Sequence, residues 1–253
     1  MTRRILLAAL ALILTGTATL VAQRRSRNST EVAPSIPYDG RFTFVRVRFG
    51  PDGDMDYGMR FDPKWNHDYP RAERNFTRIL NEISLLDPHM SGSNVMTLTE
   101  PDIFKYPVLY LCEPGFWQPT DEEVAIVRSY VQKGGFIIFD DFIGPRHKYN
   151  FDAQMLRIFP ELQLVRLDLS HPVFDSFFQI ESLEMYDPNQ GQPAEFWGAF
   201  EDNDPNKRLL FVANYNNDIG DYWEWSDEGF LPIELSNEAY KLGVNYVIYA
   251  MTH

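Results

Sequence analysis

The segment from residue 106 to residue 140 limits the possible folds more than any other part of the chain. It contains two apolar runs, YPVLYLC and FIIFD, separated by one helical pattern. Thr120 and Glu123 form a capping box that predicts the start of this helix, and Gly134 predicts its end. Strands that are apolar throughout are typical of a parallel sheet covered on both faces. The segment therefore predicts a β-α-β unit within an α/β sheet.

The flanking patterns continue this alternation. Apolar residues at helical spacing predict a helix from Arg71 to Leu86, and strands are predicted at 41–50 and 93–98. A short helix (FDAQMLRIF), a strand (LQLVRL), a hairpin-like pair (EFWGAF and KRLLFVANY) and a last helix from a Ser236 cap to Met251 follow. We therefore expect one three-layer α/β domain over residues 41–253, with a mostly parallel, flavodoxin-like sheet.

The amino-terminal residues have the pattern of a secretory signal. The pair Arg3-Arg4 precedes an uncharged apolar run from Ile5 to Leu14, and cleavage is expected near Ala22. The run is shorter than the ~20 residues that span a bilayer, and the arginine pair leaves the twin-arginine route open beside general secretion. We therefore expect residues 1–22 to be a signal peptide and residues 23–40 a flexible linker. The mature protein is expected to be periplasmic or secreted, with membrane contact only during export.

The charge and the single cysteine exclude several classes of protein. Removal of the signal takes away two arginines and no acids, so the formal charge moves from −13 to −15. A chain this acidic is not expected to bind nucleic acid by charge. Cys112 has no second cysteine to pair with and ends an apolar strand, so we interpret it as a buried packing residue.

Acidic residues follow the two apolar strands. Glu113 follows the first strand, and Asp140 and Asp141 end the second. Ligands of α/β sheets bind at the carboxyl ends of the strands, so we expect these residues to converge there as catalytic candidates, together with His171. Such a group suits general acid–base catalysis or a Ca²⁺ or Mg²⁺ ion. In the alternative interpretation one aspartate caps a turn, the other is solvated, and His171 before Pro172 belongs to a structural turn.

No firm metal motif accompanies these residues. His67 and His147 lie in predicted loops without HxH or HExxH spacing, so a zinc site is not expected. Asp52, Asp54 and Asp56 alternate as in a calcium loop, but the glutamate at position 12 is missing. We therefore assign no metal ligands and expect no cofactor, with Ca²⁺ or Mg²⁺ as the open alternative.

Aromatic and acidic residues alternate in NNDIGDYWEW. Rings beside carboxylates are typical of sites that hold sugars or cationic groups. The alternative is that the rings pack loops against the sheet. The candidate ligand-binding residues are Trp65, Trp117, Asp218, Asp221, Trp223 and Trp225.

Several blocks resemble, in order, a bacterial family known only as domain of unknown function 4159. They are FDPKWNHDYPRAERNF, EPGFWQPTDEE, GGFIIFDDF, HPVFDSFFQI, NNDIGDYWEW and GVNYVIYAMTH. The resemblance runs from about Phe42 to His253 and implies a fold but no activity.

More distantly, YPVLYLCEPG, KGGFIIFDDF and HPVFDSF are similar to the class I glutamine amidotransferase-like superfamily, including ThuA-like proteins. There a nucleophilic cysteine follows the corresponding strand, and here its position falls on or beside Asp141. The resemblance implies that fold without cysteine-dependent amidotransfer, because an aspartate cannot replace a thiolate.

Three hypotheses for function follow. The first is an exported, non-amidotransferase domain that binds a small molecule, such as a sugar, or a protein of the cell envelope. The second is a hydrolase, with carbohydrates as the candidate substrates, in which Asp141 acts with Glu113 or His171. The third is a structural subunit of an envelope complex.

Overall fold

The structure is a computed structural model that describes residues 32–50, 62–185, 191–229 and 231–253. Contacts divide the chain into two units, Met1–Val32 with Asp52–Pro63, and Ala33–Pro51 with Lys64–His253. Only Val32, Asp62 and Pro63 of the first unit are described, and all of the strands and helices given below belong to the second. The predicted signal peptide, the first half of the predicted linker (residues 23–31) and the alternating aspartates 52, 54 and 56 lie outside the described residues.

A seven-stranded sheet forms the centre of this unit, with strand order β2-β1-β3-β4-β7-β6-β5. The first five strands in this order are parallel, and β6 and β5 each pair antiparallel with their neighbour. The strands are β1 (Val45–Val47), β2 (Asn94–Met96), β3 (Val108–Cys112), β4 (Phe136–Phe142), β5 (Val165–Arg166), β6 (Glu195–Phe200) and β7 (Leu209–Tyr215).

Among the described residues, five α-helices cover the two faces of the sheet. Phe76, Trp223 and Tyr246 pack on one face, and Trp117 and Phe151 pack against Phe139 on the other. The helices are α1 (Arg71–Ile83), α2 (Asp121–Gln132), α3 (Gly144–Ile158), α4 (Ile219–Glu224) and α5 (Ile233–Thr252). The predicted three-layer α/β architecture is confirmed.

Local signals explain the central β-α-β unit. The hydroxyl of Thr120 accepts a hydrogen bond from the Glu123 amide at 3.2 Å, and the Glu123 carboxylate accepts one from the Thr120 amide at 2.8 Å. The predicted capping box is therefore confirmed. Gly134 follows α2 with a φ of +103°, which favours glycine.

The structure corrects three predicted elements. The last helix begins at Ile233, so Ser236 lies inside it and its hydroxyl donates to the carbonyl of Pro232. The short helix before β5 begins earlier, at Gly144, where the turn after β4 leads directly into it. The strand in LQLVRL has only two residues. Among the described residues, no helix combines the length and the apolar composition needed to cross a bilayer.

The topology indicates where a ligand would bind. The chain adds strands on one side of β1 and then on the other, so the order reverses between β1 and β3. In open α/β sheets ligands bind at such a point, outside the carboxyl ends of the strands. A ligand site is therefore expected among the residues that follow β1, β3, β4 and β7.

Candidate functional site

Six carboxylates gather at the carboxyl edge of the sheet, and we call them the acidic cluster. They come from the segment before α1, from the ends of β3 and β4, and from α4 and its cap. Their members are Asp68, Glu113, Asp141, Asp218, Asp221 and Glu224. Within the described part of the chain, the basic groups that interact with them include His67, Lys64, His147 and Arg46.

Asp140 lies beneath the cluster and has a structural role. Its Oδ2 accepts hydrogen bonds from the Tyr110 hydroxyl at 2.7 Å and the Gly220 amide at 3.0 Å. Its Oδ1 accepts from the Asn214 side chain at 2.9 Å and the Ile219 amide at 3.3 Å. Burial raises the pKa of Asp140 to about 6, although these hydrogen bonds oppose the shift. The buried carboxylate thus joins β3, β4 and β7 to the first turn of α4.

Asp141 faces the cluster instead. The register of β4 against β7 shifts between Phe139 and Phe142, and Asp141 has a φ of +58°. The chain thus begins to turn within the strand. The side chain of Asp140 lies beneath the cluster, and that of Asp141 faces it. The Oδ2 atom of Asp141 lies 3.6 Å from the sulfur of Cys112. Cys112 is buried as predicted, and burial raises the pKa of its thiol.

Glu113 and His67 complete this side of the cluster. The Nδ1 atom of His67 lies 3.0 Å from Oε1 of Glu113 and 3.6 Å from Oδ2 of Asp141. Lys64 reaches to 3.8 Å from the same glutamate oxygen. Glu113 has a φ of +53°, and its amide donates to the carbonyl of Asp140 at 2.9 Å. Two adjacent strand ends therefore hold Glu113 and Asp141 side by side.

Asp68 stands between the two halves of the cluster. It precedes α1 with a φ of +64°, and its backbone carbonyl accepts from the amides of Arg71 and Ala72. The residue is partly exposed, but its carboxylate oxygen Oδ2 is buried and accepts no hydrogen bond from any described residue. A buried oxygen without a donor costs about 1–3 kcal/mol. This oxygen is the clearest sign that the cluster has a ligand.

Helix α4 supplies the remaining members. The side chain of Asp218 accepts from the Asp221 amide at 2.9 Å and so caps the helix. Asp221 and Glu224 are three residues apart and share one face. A Cβ atom at Gly220 would lie 2.6 Å from both Asp68 Oδ2 and the Tyr110 hydroxyl. Only glycine lets α4 approach Asp68 this closely.

Burial and mutual repulsion raise the pKa of several cluster carboxyls. For Asp68 burial is the larger cause, followed by the charges of Asp221 and Asp141. Burial is also the first cause for Asp218 and for Glu113. A bound cation would oppose the repulsion at each of these groups.

Arg46 supports the site from inside the core. This fully buried residue of β1 pairs with the carboxylate of Glu73 on α1. Its Nη1 donates to the carbonyl of Trp65 at 3.1 Å and to that of His67 at 2.9 Å. The segment that carries His67 and Asp68 is therefore held to β1.

The structure does not bring His171 to the cluster. Its ring lies 5.7 Å from that of Tyr249, whose hydroxyl accepts from the amide of Leu209 at the amino end of β7. Its Nδ1 accepts from the Val173 amide at 3.1 Å and caps a short 3₁₀ turn. The chain after β5 folds back along α5 and places His171 at the opposite edge of the sheet. The expected convergence of His171 with Glu113 is wrong, and the structural-turn alternative describes it.

The four candidate tryptophans do not form one binding surface. Trp117 and Trp223 are buried, and the Trp223 ring stacks on Phe76 with centroids 4.4 Å apart. Trp65 is also buried, whereas Trp225 is half-buried with the guanidinium of Arg71 5.1 Å from its ring centroid. The three buried rings pack the core, as in the alternative interpretation of the aromatic residues, and do not form a ligand-binding surface. The predicted Asp218 and Asp221 do belong to the acidic cluster.

The sequence patterns do not single out Asp68. Glu224 stands among the alternating acids of NNDIGDYWEW without being a site candidate, and His67 is set aside as a metal ligand because its spacing fits no zinc motif. One signal was present: the long loop after β1 ends at the same edge of a parallel sheet as Glu113 and Asp141. Applying the strand-end rule to that loop would have added WNHD to the candidates.

The cluster carboxylates, together with His67 and Cys112, form three overlapping groups, and within each group the ligand atoms lie within 4.8 Å of one another. Two share Asp141, and two share Asp68. The groups are His67, Glu113 and Asp141; Asp68, Cys112 and Asp141; and Asp68, Asp221 and Glu224. A separate groove of about 660 Å³ lies between residues 166–169, 181–185 and 193–196 and contains no cluster residue.

Comparison with models of protein families matches residues 43–251 to the family described as Domain of unknown function (DUF4159). No curated protein matches the chain.

Proposed function

The chain belongs to the DUF4159 family, whose description assigns no activity, and we propose that it is a ligand-binding domain whose acidic cluster binds a cationic ligand. The observation that carries this proposal is the buried, unpartnered oxygen Oδ2 of Asp68. We further propose that the domain works in the bacterial cell envelope after export, on the strength of the signal-like residues 1–22.

The balance of charge supports a cationic ligand. The repulsion at Asp68 is direct: burial and the charges of Asp221 and Asp141 raise its pKa, and Arg46, which opposes this shift, is already paired with Glu73. Like charges close together in a poorly solvated place must take up protons or a counter-ion. A cationic ligand would relieve the repulsion and satisfy the Asp68 oxygen together. An anionic ligand would add to the repulsion.

A thermal melt of the full chain tests the proposal. The chain is first freed of ions with a chelator and then given Ca²⁺, Mg²⁺, spermidine or citrate. We expect at least one cation, and not citrate, to raise the midpoint, because a ligand that binds only the folded state stabilises it. The Asp68→Asn variant should lose most of that shift.

The control is Asp102→Asn, which removes the same charge from an exposed ion pair with Lys105 outside the cluster. It should keep the shift, since exposed pairs contribute little to stability. Equal shifts in both variants, or none in the wild type with any cation, would contradict the proposal.

A second candidate is a hydrolase, and the contacts of His67 with Glu113 and Asp141 favour it. Burial raises the pKa of Glu113, as suits a general acid that protonates a leaving group, and Asp141 would take a proton from the attacking water. The full chain would be incubated with fluorogenic glycosides and esters. Turnover that Glu113→Gln abolishes and Asp102→Asn preserves would establish this activity, and no turnover on any substrate would count against it.

A further inference from the structure

We infer that the cationic ligand is a hard divalent metal ion, Ca²⁺ in the first place, bound by Asp68, Asp221 and Glu224. This inference rests on the proposed function and names its ligand. The three residues come from the segment before α1 and from one face of α4, and each is partly exposed, so the group borders solvent although Oδ2 of Asp68 itself is buried.

The spacing of the three carboxylates fits a calcium ion. Their ligand oxygens lie within 4.8 Å of one another. Oxygens on opposite sides of a calcium ion are about 4.6–5.2 Å apart, so separations of up to 4.8 Å are compatible with one calcium sphere. Mg²⁺ is usually held by only one or two carboxylates, so a set of three favours Ca²⁺. Three oxygens at this spacing can therefore share one calcium sphere, with water completing the six to eight ligands. A set with oxygen donors alone also favours Ca²⁺ over softer metals.

The second observation concerns the hydrogen bonding of the Asp68 carboxylate. Its Oδ2 atom is buried and has no hydrogen-bond donor among the described residues. The backbone of α4 at Gly220 lies directly against this atom, so a side chain at that position could not supply a donor. A metal ion between Asp68 and the exposed face of α4 would provide the missing partner. Hydrogen bonds within the cluster do not account for this oxygen.

The supporting contacts hold the three ligands in place. Asp218 caps α4, and Asp140 accepts from the amides of its first two residues. Arg46 holds the carbonyl of His67, next to Asp68. Partners of this kind orient metal ligands in known sites. Both sides of the proposed site are thus fixed by residues that would not touch the ion.

The group His67, Glu113 and Asp141 is the competing position. It contains an imidazole nitrogen, which suits Zn²⁺ or another transition metal more than Ca²⁺. Its histidine already contacts Glu113 at 3.0 Å and Asp141 at 3.6 Å. This position has no unpartnered buried oxygen of its own, which is why we favour the Asp68 position.

The test uses calorimetric titration of the full, chelator-treated chain with Ca²⁺, Mg²⁺, Zn²⁺ and spermidine, followed by melts. We expect one Ca²⁺ per chain and a rise in midpoint of about 5–11 °C at 100 times the dissociation constant. Asp68→Asn and Glu224→Gln should each weaken Ca²⁺ binding tenfold or more. His67→Gln and the control Asp102→Asn should change it less than about threefold.

The outcomes separate this inference from the proposed function. Binding of spermidine without any metal would overturn the metal site and leave the cationic-ligand proposal standing. Loss of the metal in His67→Gln, with Glu224→Gln unchanged, would move the ion to the competing group and overturn the ligand set. Binding of no cation would overturn both. Melts of each variant in chelator show whether it folds, and Asp221→Asn replaces any variant that does not.

Discussion

Substitution by asparagine should lower the stability of the protein at Asp140 but not at the neighbouring Asp141. Asp140→Asn keeps the size of the side chain and replaces one carboxylate oxygen by an amide nitrogen. Tyr110 and Gly220 donate to one oxygen of Asp140, and Asn214 and Ile219 donate to the other. Whichever way the new amide turns, its nitrogen therefore faces two donors.

The magnitude follows from those contacts. A buried donor without an acceptor costs about 1–3 kcal/mol, so two of them cost about 2–6 kcal/mol. For a domain of this size, 1 kcal/mol corresponds to about 2–4 °C in midpoint. Even the lower bound for Asp140→Asn is thus a loss of about 4–8 °C.

Asp141→Asn should leave the stability nearly unchanged or raise it. The recorded contacts of Asp141 are the longer ones with His67 and Cys112, and its charge repels Asp68. Asparagine also tolerates the positive φ at this position. We expect a midpoint within about 2 °C of the wild type, or above it.

Thermal and urea unfolding of both variants, in chelator at pH 7.5, measure this difference. The pH lies above the pKa of about 6 for Asp140, so the wild-type carboxylate is charged. A loss in Asp141→Asn as large as that in Asp140→Asn would refute the assignment of Asp140 as the anchor and Asp141 as the cluster residue.

Two further predictions concern other positions. Gly220→Ala would place a methyl group 2.6 Å from Asp68 Oδ2 and the Tyr110 hydroxyl, so we expect a loss of about 1–3 kcal/mol in the free energy of unfolding by urea, and weaker cation binding. An unchanged variant would show that α4 is free to move. Burial lowers the pKa of His171, so the unfolded chain takes up the proton first, and stability is lost as the pH falls below about 6.5. His171→Asn keeps an acceptor for the Val173 amide, and the wild type should lose stability relative to it between pH 8 and pH 5.5. A constant difference in midpoint would contradict this.

The central sheet could be predicted because its signals are local. YPVLYLC and FIIFD are apolar without interruption, and the box of Thr120 and Glu123 fixes where α2 begins. Helix α4 has only six residues, too few to show an apolar repeat, and it begins at an aspartate that the sequence presents as one acid among many. The pattern NNDIGDYWEW therefore suggested a binding loop.

The site could be predicted only in part, because its members are far apart in the chain. Residue order places Glu113 and Asp141 at adjacent strand ends, and they do meet. It does not show that Trp223 stacks inside the core, since a ring that packs and a ring that binds have the same composition. Residue order also does not show that His171 lies at the edge of the sheet opposite the cluster, because its position depends on the path of the chain after the two-residue strand β5.

The buried Arg46 would affect both the entropy cost and the selectivity of cation binding. The guanidinium fixes the carbonyls of Trp65 and His67 from within the core, so the segment ending at Asp68 has its shape before a ligand arrives. A preformed receptor gives up little conformational entropy on association. A segment held in this way would also adjust less to a smaller ion, so discrimination would follow ionic radius. An arginine that never meets the ligand would thus help decide which ion is accepted.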